Sequence, residues 1–218
     1  MKKDNISQVT EYWNQIAHDF DTIYTGEKSP IGQALDKWFR KDMYERFDWA
    51  IQRAGDVRGR TICDIGCGSG RFVNAFAKKG AAQVTGIDVA PEMLKLALEL
   101  VTKEGVQDVC KFVGTDVLDW NTKEQFDLTL AVGVWDYITD PVPRLRVIRN
   151  LTRQTFLSTW PCFWTWRMPI RKLRLSLGGC PVYFYRLPQI HKCLENAGFR
   201  IHSCEAVGKL YCIEARPV

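Results

Sequence analysis

The sequence predicts an α/β fold in which a mostly parallel sheet is covered by helices on both faces. Three observations lead to this prediction. Short apolar runs rich in β-branched residues alternate with stretches of helical periodicity along the 218-residue chain. The run at 61–65 leads directly into three alternate glycines, Gly66, Gly68 and Gly70, and then into a helical pattern. The next run, 83–88, ends in an acid, at the edge where ligands bind in open α/β sheets.

Length and composition are those of a globular protein with a full hydrophobic core. The chain is 46% hydrophobic and 25% charged, which is ordinary for a soluble protein. It contains no apolar run of about 18 residues, so no membrane-spanning segment is expected. The first eight residues lack the apolar core of a signal peptide, and a cytoplasmic location is therefore expected.

The eight cysteines form no C-x-x-C pair and no spacing typical of a zinc site. No metal is therefore expected, and reduced, mostly buried thiols fit the pattern. Cys67 lies inside the glycine turn, where only a small side chain fits. We interpret it as a packing residue rather than as a nucleophile.

Two helical regions precede the first strand. Apolar residues recur at helical spacing over 9–20, and again over 29–51, which opens with a serine-proline pair typical of a helix start. Residues 55–59 then break the pattern. This organisation predicts an N-terminal helical lid or cap, residues 1–58, and a ligand-binding domain, residues 59–218, with an added segment at about 160–185.

Asp64 and the glycine turn favour a ligand other than a dinucleotide. Glycines let the turn take positive φ angles and let a ligand approach bare backbone. The dinucleotide fingerprint is G-x-G-x-x-G and requires no acid just before it. Here the order is D-x-G-x-G-x-G, beginning at Asp64. The spacing therefore argues against an NAD-dependent oxidoreductase.

The remaining helices and strands alternate until the last two strands. Helices are predicted at 71–79, 91–104, 143–150 and 187–197. Strands are predicted at 83–88, 109–113, 126–133 and 154–159, with two more beginning at Phe199 and at Lys209. With the run at 61–65, this makes seven strands.

Several ordered features resemble those of class I S-adenosylmethionine (SAM) dependent methyltransferases of the small-molecule type. They are the Asp64–Gly70 turn, Asp88 after the second strand, Asp116 after the third, the strand that begins at Phe126, the Leu194–Phe199 helix-strand step and the lid-like stretch Tyr12–Asp21. The resemblance implies a Rossmann-like three-layer sandwich. Its sheet would be mostly parallel and seven-stranded, with a C-terminal antiparallel hairpin and an N-terminal helical lid.

The resemblance also implies SAM as cofactor and S-adenosylhomocysteine as product, without a metal. Asp64 would bind the ammonium group of the amino-acid end, directly or through water. Asp88, about 20 residues past the glycine turn, would accept both ribose hydroxyls. Asp116 would accept a hydrogen bond from the adenine amino group, with Asp119 as a second choice. The residues implied to contact the cofactor are Asp64, Gly66, Cys67, Gly68, Gly70, Asp88, Val89, Met93, Asp116, Val117 and Val132.

The loop at 134–141 follows the fourth strand and, by the same resemblance, faces the substrate. Where the family commonly has a histidine this chain has Tyr137, with Asp136 beside it, and either is a candidate general base. An acceptor whose hydroxyl is already acidic needs no base. The predicted substrate contacts are Tyr12, Trp135, Arg167 and Arg171.

Charge is unevenly distributed, although the net charge is only +5. No acid occurs between Asp140 and Glu195, an interval that carries many arginines and, near its middle, several tryptophans. Residues 160–185 therefore have three interpretations: a substrate-recognition insert, an amphipathic surface helix that touches a membrane or a partner through 160–175, or core and edge packing. Nucleic acid is disfavoured as a partner because no RNA-binding module is attached.

Two hypotheses from different classes follow. The first is a SAM-dependent methyltransferase that acts on an oxygen or nitrogen atom of a small molecule, either acidic or with a large ring system. The helical N-terminus and the late insert are remotely similar to those of tetrapyrrole and quinone O-methyltransferases. The second is a catalytically silent SAM-binding subunit or sensor, which the atypical loop around Tyr137 permits.

Overall fold

The structure is a computed structural model that describes residues 6–25, 41–162 and 182–218, and of residues 18–25, 41 and 42 the backbone alone. The described strands are β1 (Thr61–Ile65), β2 (Gln83–Asp88), β3 (Cys110–Gly114), β4 (Phe126–Val132), β5 (Thr152–Pro161), β6 (Phe199–Val207) and β7 (Leu210–Pro217). They form one sheet in the order β3-β2-β1-β4-β5-β7-β6. The first five strands are parallel, and β7 is antiparallel to both β5 and β6. The predicted fold class, including its terminal hairpin, is confirmed.

Helices cover both faces of this sheet. The described α-helices are α1 (Ile6–Thr25), α2 (Lys41–Ala54), α3 (Arg71–Lys78), α4 (Pro91–Lys103), α5 (Val142–Leu151) and α6 (Leu187–Asn196). Short 3₁₀ turns lie at Gln107–Val109 and Trp135–Tyr137. No helix within the described part of the chain is both long and apolar enough to cross a membrane.

The core consists of two apolar clusters, one on each face of the sheet. On one face Ala50 of α2, Phe76 of α3 and Val101 of α4 pack over the apolar side chains of β1 and β4. On the other face Leu145 of α5 and Leu194 of α6 pack over β5 and β7. These side chains are buried because the helices present apolar stripes at helical spacing to strands that are apolar on both faces.

The two N-terminal helices are attached at different places. In α1, Ala17 packs on Ala90 and Met93, and Asn14 accepts a hydrogen bond from the backbone N–H of Glu92 at 3.3 Å. This helix therefore lies at the start of α4, next to the carboxyl end of β2. The second helix, α2, packs beside α3 through a stacked ring contact of 4.9 Å between Phe47 and Phe72.

Some element limits differ from the predicted ones. Strand β5 begins at Thr152, two residues before its predicted start, and continues to Pro161. The reason is tertiary, because the Thr152 hydroxyl shares a buried hydrogen bond of 2.6 Å with the hydroxyl of Thr129 in β4. The helix predicted over 9–20 is longer at both ends. The helix start predicted at residues 29 and 30 lies outside the described residues.

Candidate functional site

A cleft of about 1080 Å³, partly open to solvent, lies at the carboxyl ends of β1, β2 and β4. The glycine turn forms its floor, and the residues that follow β2, β3 and β4 form its sides. Helix α1 contributes Ile6, Val9 and Trp13 to its lining. The cleft is therefore at the edge of the sheet where the sequence predicts a ligand site, and the N-terminal helix borders it.

The glycine turn leaves backbone exposed to the cleft. Gly66, Gly68 and Gly70 all have positive φ angles, of 72°, 52° and 77°. A side chain at Gly66 would overlap Val134, and one at Gly70 would come within 2.8 Å of Ala97. At Gly68 a Cβ would meet nothing within 4 Å, because that glycine faces open space at the cleft. Gly66 and Gly70 thus have no room for a side chain. Gly68 needs glycine for its positive φ and so that a ligand can approach its backbone.

Cys67 lines the cleft within this turn and is buried. Burial, with the nearby Asp88 and Asp64 carboxyls, raises the pKa of its thiol well above the usual value. A neutral thiol is a poor nucleophile, which agrees with its interpretation as a packing residue.

Asp64 is buried at the end of β1, directly behind the turn. Only 1% of the residue is exposed, and its Oδ2 atom has no hydrogen-bond partner among the described residues. Burial, and then the charge of Asp88, raise the pKa of Asp64 to about 7. Asp64 is not itself among the cleft-lining residues, so a ligand group would contact it past the backbone of the glycine turn or through a water molecule. Such a carboxyl group is suited to a cationic ligand group, which would stabilise its ionised form.

Asp88 lines the cleft at the end of β2 and is held rigidly by backbone. Its Oδ2 accepts a hydrogen bond from the N–H of Gly68, and its Oδ1 accepts one from the N–H of Ala90, both at 2.9 Å. Burial raises the pKa of Asp88, and these backbone donors act in the opposite direction. Each oxygen keeps further acceptor capacity toward the cleft, so this side chain can accept hydrogen bonds from a vicinal diol.

Asp116 lines the cleft two residues after the end of β3. Its carboxylate pairs with Arg144 of α5, with 2.6 Å between Asp116 Oδ2 and Arg144 Nη2, and both residues line the cleft. The second-choice acid Asp119 is not among the described lining residues. Four apolar residues predicted to contact the cofactor also line the cleft, namely Val89, Met93, Val117 and Val132.

The residues of the 3₁₀ turn after β4 point in different directions. Tyr137 lines the cleft, and its ring meets the edge of Trp13 at a centroid distance of 5.7 Å. Trp135 is fully buried and stacks on Trp160 at 4.5 Å, so its indole faces the core rather than the cleft. Asp136 is also buried, and its carbonyl accepts a hydrogen bond from the N–H of Tyr183 at 2.7 Å. Of the three residues, Tyr137 alone is in position to meet a ligand.

The other predicted substrate contacts are less directly placed. Tyr12 is half-buried and lies edge-on to Trp13 at 5.5 Å, outside the described lining of the cleft. Arg167 and Arg171 fall outside the described residues, as does most of the segment 160–185. Within the described ranges no group of three or more His, Cys, Asp or Glu side chains could hold a metal ion.

Five polar residues of the cleft were missed by the sequence analysis, namely Arg46, Ser69, Arg71, Thr115 and Arg144. Arg46 of α2 reaches the cleft beside Gly133, where an added Cβ would meet its Nη1 at 2.5 Å. It makes no hydrogen bond or ion pair with any residue that the structure describes. Ser69 is buried in the glycine turn, and its hydroxyl has no partner in the described chain. No local motif marks these residues, because each depends on how a distant helix or turn meets the sheet.

The arrangement can bind a nucleoside that carries both an ammonium and a carboxylate group. A buried carboxyl group and an arginine lie near the glycine turn, where they can bind an ammonium and a carboxylate group. Asp88 presents carboxylate oxygens suited to ribose, and the apolar residues beyond it can pack on a base. Tyr137 also lines this cleft.

Comparison with known proteins identifies a matching family model, curated relatives and similar solved structures. Residues 62–155 match the family model described as a methyltransferase domain. Ubiquinone biosynthesis O-methyltransferase of Aeromonas salmonicida is 32% identical over 117 residues, which are 52% of this chain and 49% of that protein. The chain thus spans about half the length of that relative.

Solved structures share the whole fold at low identity. Magnesium protoporphyrin IX methyltransferase from Synechocystis, crystallised with bound S-adenosylhomocysteine, has a TM-score of 0.78 at 18% identity, over 99% of this chain and 100% of that one. For 1,6-didemethyltoxoflavin-N1-methyltransferase from Burkholderia thailandensis, the TM-score is 0.69 at 18% identity, over 100% and 92% of the two chains. The likeness extends to the N-terminal helices, beyond the part that the family model matches.

Proposed function

We propose that this chain, whose residues 62–155 match the methyltransferase-domain model, is a class I SAM-dependent methyltransferase that acts on a small molecule. The observation that carries the proposal is the buried Asp64 carboxyl group, which has no cationic partner among the described residues and lies behind a turn of three glycines. An unpaired buried acid lowers stability, and a cationic ligand removes that cost. SAM brings an ammonium group to this position.

Two further groups would hold the amino-acid end of SAM. Arg46 presents a guanidinium group, with no partner among the described side chains, to the cleft beside Gly133. A guanidinium group binds a carboxylate through two parallel hydrogen bonds. The buried hydroxyl of Ser69 offers a further donor at the same end. Ammonium to Asp64 and carboxylate to Arg46 would fix the orientation of the ligand.

The nucleoside end would lie along the ends of β2 and β3. Asp88 is held in one orientation by two backbone N–H groups and would accept the ribose hydroxyls. Val89, Met93 and Val117 would pack on the base, and Asp116 would accept from its amino group. Gly66, Cys67, Gly68 and Gly70 would contact the ligand through backbone, and Val132 would pack on it at the end of β4.

The bound cofactor supplies an activated methyl group on a sulfonium centre. The chain contributes alignment and exclusion of water, for which the apolar lining from Val9, Trp13 and Ile138 is suited. Tyr137 faces this region and is the proposed base for an acceptor that must lose a proton. Asp136 is buried and would act only after a rearrangement of its turn.

The acceptor is proposed to be an oxygen or nitrogen atom of an acidic or large-ring metabolite. The named relatives support this class, since they act in ubiquinone biosynthesis, on magnesium protoporphyrin IX and on 1,6-didemethyltoxoflavin. The basic, acid-free segment between Asp140 and Glu195 adds support, with Arg167, Arg171 and Tyr12 retained as proposed contacts. Trp135 is not retained, because its indole is buried against Trp160. The division into a lid at 1–58 and a domain at 59–218 is part of the same proposal.

Calorimetric titration with SAM, S-adenosylhomocysteine and NAD tests the cofactor. We expect micromolar binding of the first two and none of NAD, because the glycine spacing and Asp64 suit an amino-acid end rather than a pyrophosphate. Binding of NAD without binding of SAM would refute the proposed roles of Asp64 and Arg46 together.

A transfer assay tests the enzyme against the alternative, a silent SAM-binding subunit or sensor. SAM carrying a labelled methyl group is incubated with cell extract and the protein, and labelled small molecules are sought. Label in a small molecule, reduced at least about tenfold in Tyr137→Phe with SAM affinity unchanged, is the expected result. Tight SAM binding with no label transferred under any condition would favour the silent subunit.

A further inference from the structure

Arg144 occupies a position that is unfavourable for a charged side chain on two counts. It lies in the first turn of α5, where the helix dipole opposes a positive charge. It is also 4% exposed, and burial of a guanidinium group is costly unless the group is paired. Replacing a buried ion pair by apolar residues often leaves stability unchanged or raises it. Stability alone therefore does not account for this arginine.

Arg144 pairs with Asp116, and the contact is bidentate. Nη2 of Arg144 lies 2.6 Å from Oδ2 of Asp116, and Nε lies 3.2 Å from each carboxylate oxygen. The side chains are 5% and 11% exposed. A bidentate pair with this geometry fixes the plane of the carboxylate.

Backbone completes the placement of this carboxylate. Oδ1 of Asp116 accepts a hydrogen bond from the N–H of Leu118 at 3.0 Å. The beginning of α5 is also fixed, since the N–H of Val142 donates to Asp140 at 3.2 Å. A carboxylate has about four acceptor directions, and Arg144 and Leu118 use about three of them. About one acceptor direction is left, on a carboxylate that borders the cleft.

We propose that Arg144 is a positioning residue for the cofactor, which holds the Asp116 carboxylate in one orientation as a single acceptor at the base end of the cleft. The inference rests on the proposed function, and it adds the residue that gives the base site its selectivity. One acceptor matches one N–H of the 6-amino group of a purine. A 6-oxo purine would place a second acceptor against the carboxylate, and the two oxygens would repel each other.

The probes are S-adenosylhomocysteine and its 6-oxo analogue, S-inosylhomocysteine, titrated by calorimetry. We expect the wild-type protein to bind the 6-oxo analogue about 10- to 100-fold more weakly, the usual effect of one unmatched buried hydrogen bond. In Arg144→Met we expect that preference to fall below about threefold, because Asp116 without its guanidinium partner is free to rotate. Arg144→Lys restores the charge and should recover part of the preference.

Asp116→Asn should change the preference between the two nucleosides in a different way. An amide can turn its NH₂ toward a 6-oxo group, so the preference should vanish or reverse in favour of the inosyl compound. The matched control is Arg53→Met, which breaks the ion pair with Glu214, also of 2.6 Å, on the far part of the sheet. This control should lower the melting temperature and leave the selectivity ratio as in the wild type.

The outcomes separate the inference from the function on which it rests. If the wild-type protein binds neither nucleoside, the proposed function fails. If S-adenosylhomocysteine binds but Arg144→Met and Asp116→Asn both keep the wild-type selectivity ratio, the function stands and the role of Arg144 is overturned. A loss of thermal stability with an unchanged ratio would likewise show that the pair is structural.

Discussion

Asp64 is a carboxyl group kept where its charge is unfavourable. It is 1% exposed, and its pKa is raised to about 7 by burial and by the neighbouring Asp88. The folded protein therefore holds the Asp64 proton more tightly than the unfolded chain, in which an aspartate titrates near pH 4. Such a raised pKa marks groups that bind or react in many proteins. Here the raised pKa should make both stability and ligand affinity depend on pH in a way that an ordinary surface acid would not.

The stability of the ligand-free protein should depend on pH in this way. Between about pH 4 and pH 7 the unfolded chain releases the Asp64 proton and the folded protein keeps it, so this residue makes the free energy of unfolding fall as pH rises. The loss is complete above about pH 7 and amounts to a few kcal/mol, since one pKa unit corresponds to about 1.4 kcal/mol. In urea titrations from pH 5 to 8, Asp64→Asn should show a smaller decline than the wild type. An unchanged pH dependence would contradict the raised pKa.

Cofactor affinity should depend on the same proton in the opposite direction. The ammonium group of the ligand favours ionised Asp64, so affinity for S-adenosylhomocysteine should be about tenfold higher at pH 8 than at pH 6. Calorimetry on Asp64→Asn should show weaker binding of S-adenosylhomocysteine, with an affinity that changes little between pH 6 and pH 8. Asp127→Asn is the control, because hydrogen bonds from Thr61 lower the pKa of Asp127 and the residue lies outside the described cleft lining. That variant should lose stability at neutral pH and keep its affinity.

The glycine turn joins β1 to α3 and is the element on which the site depends most directly. Its backbone is exposed to the cleft at Gly68, whose N–H also holds Asp88. Gly68 and Gly105 form a matched pair of positions. Both have positive φ, of 52° and 70°, and a Cβ at either would meet nothing within 4 Å. Gly105 lies after α4, outside the described lining of the cleft.

Alanine at these two positions should separate backbone strain from ligand access. Each substitution places an L-residue in the left-handed region and should lower stability by about 1–2 kcal/mol. Gly68→Ala alone should also weaken S-adenosylhomocysteine binding by about tenfold or more, because its methyl group would enter the ligand space. Melting temperatures and calorimetry on both variants make the comparison. Equal binding by the two variants would show that the ligand does not approach the turn.

The 3₁₀ turn at Trp135–Tyr137 is held from two sides. On one side, the ring of Trp13 in α1 contacts Tyr137. On the other side, the segment after residue 181 donates two hydrogen bonds. The N–H of Tyr183 donates to the carbonyl of Asp136, and the hydroxyl of Tyr185 donates to the carbonyl of Ile138. Beneath the turn, Trp160 stacks on Trp135 and meets Tyr185 edge-on. The turn that carries the proposed base is thus in contact both with α1 and with the segment that follows residue 181.

The cleft connects elements that are far apart in the sequence. Trp13, Arg46, Asp88, Asp116 and Tyr137 come from five different parts of the chain and border one space. A ligand that contacts all of them stabilises the folded molecule as a whole, because the unfolded chain cannot bring them together.

Ligand binding should therefore raise the melting temperature markedly. S-adenosylhomocysteine at about 100 times its dissociation constant should add about 2.7 kcal/mol to the free energy of unfolding. For a chain of this size, that corresponds to a rise of about 5–11 °C. NAD at the same concentration serves as the comparison and should give no rise. Equal shifts with both compounds, or none with either, would contradict the proposed cofactor.

Much of the site was predictable because its residues stand next to the ends of strands. Asp64, Asp88, Val117 and the glycines follow from local patterns, since an apolar run that ends in an acid and a turn needs no distant contact to be recognised. Their roles toward the cofactor remain proposals. Trp135 shows the limit of such reasoning, since its place in the loop suggested a substrate contact and its indole is stacked on Trp160.

The order of strands and helices, the glycine turn and the acids beside it were evident in the amino-acid sequence, because each depends on residues that are neighbours along the chain. Only the folded molecule reveals Arg46 in the cleft, the pairing of Arg144 with Asp116, and the burial that raises the pKa of Asp64. The physical reason is that helical periodicity specifies an apolar face but not which polar residue at its border meets a given strand end. That contact, and the dielectric surroundings of a charge, arise from packing between residues distant in sequence.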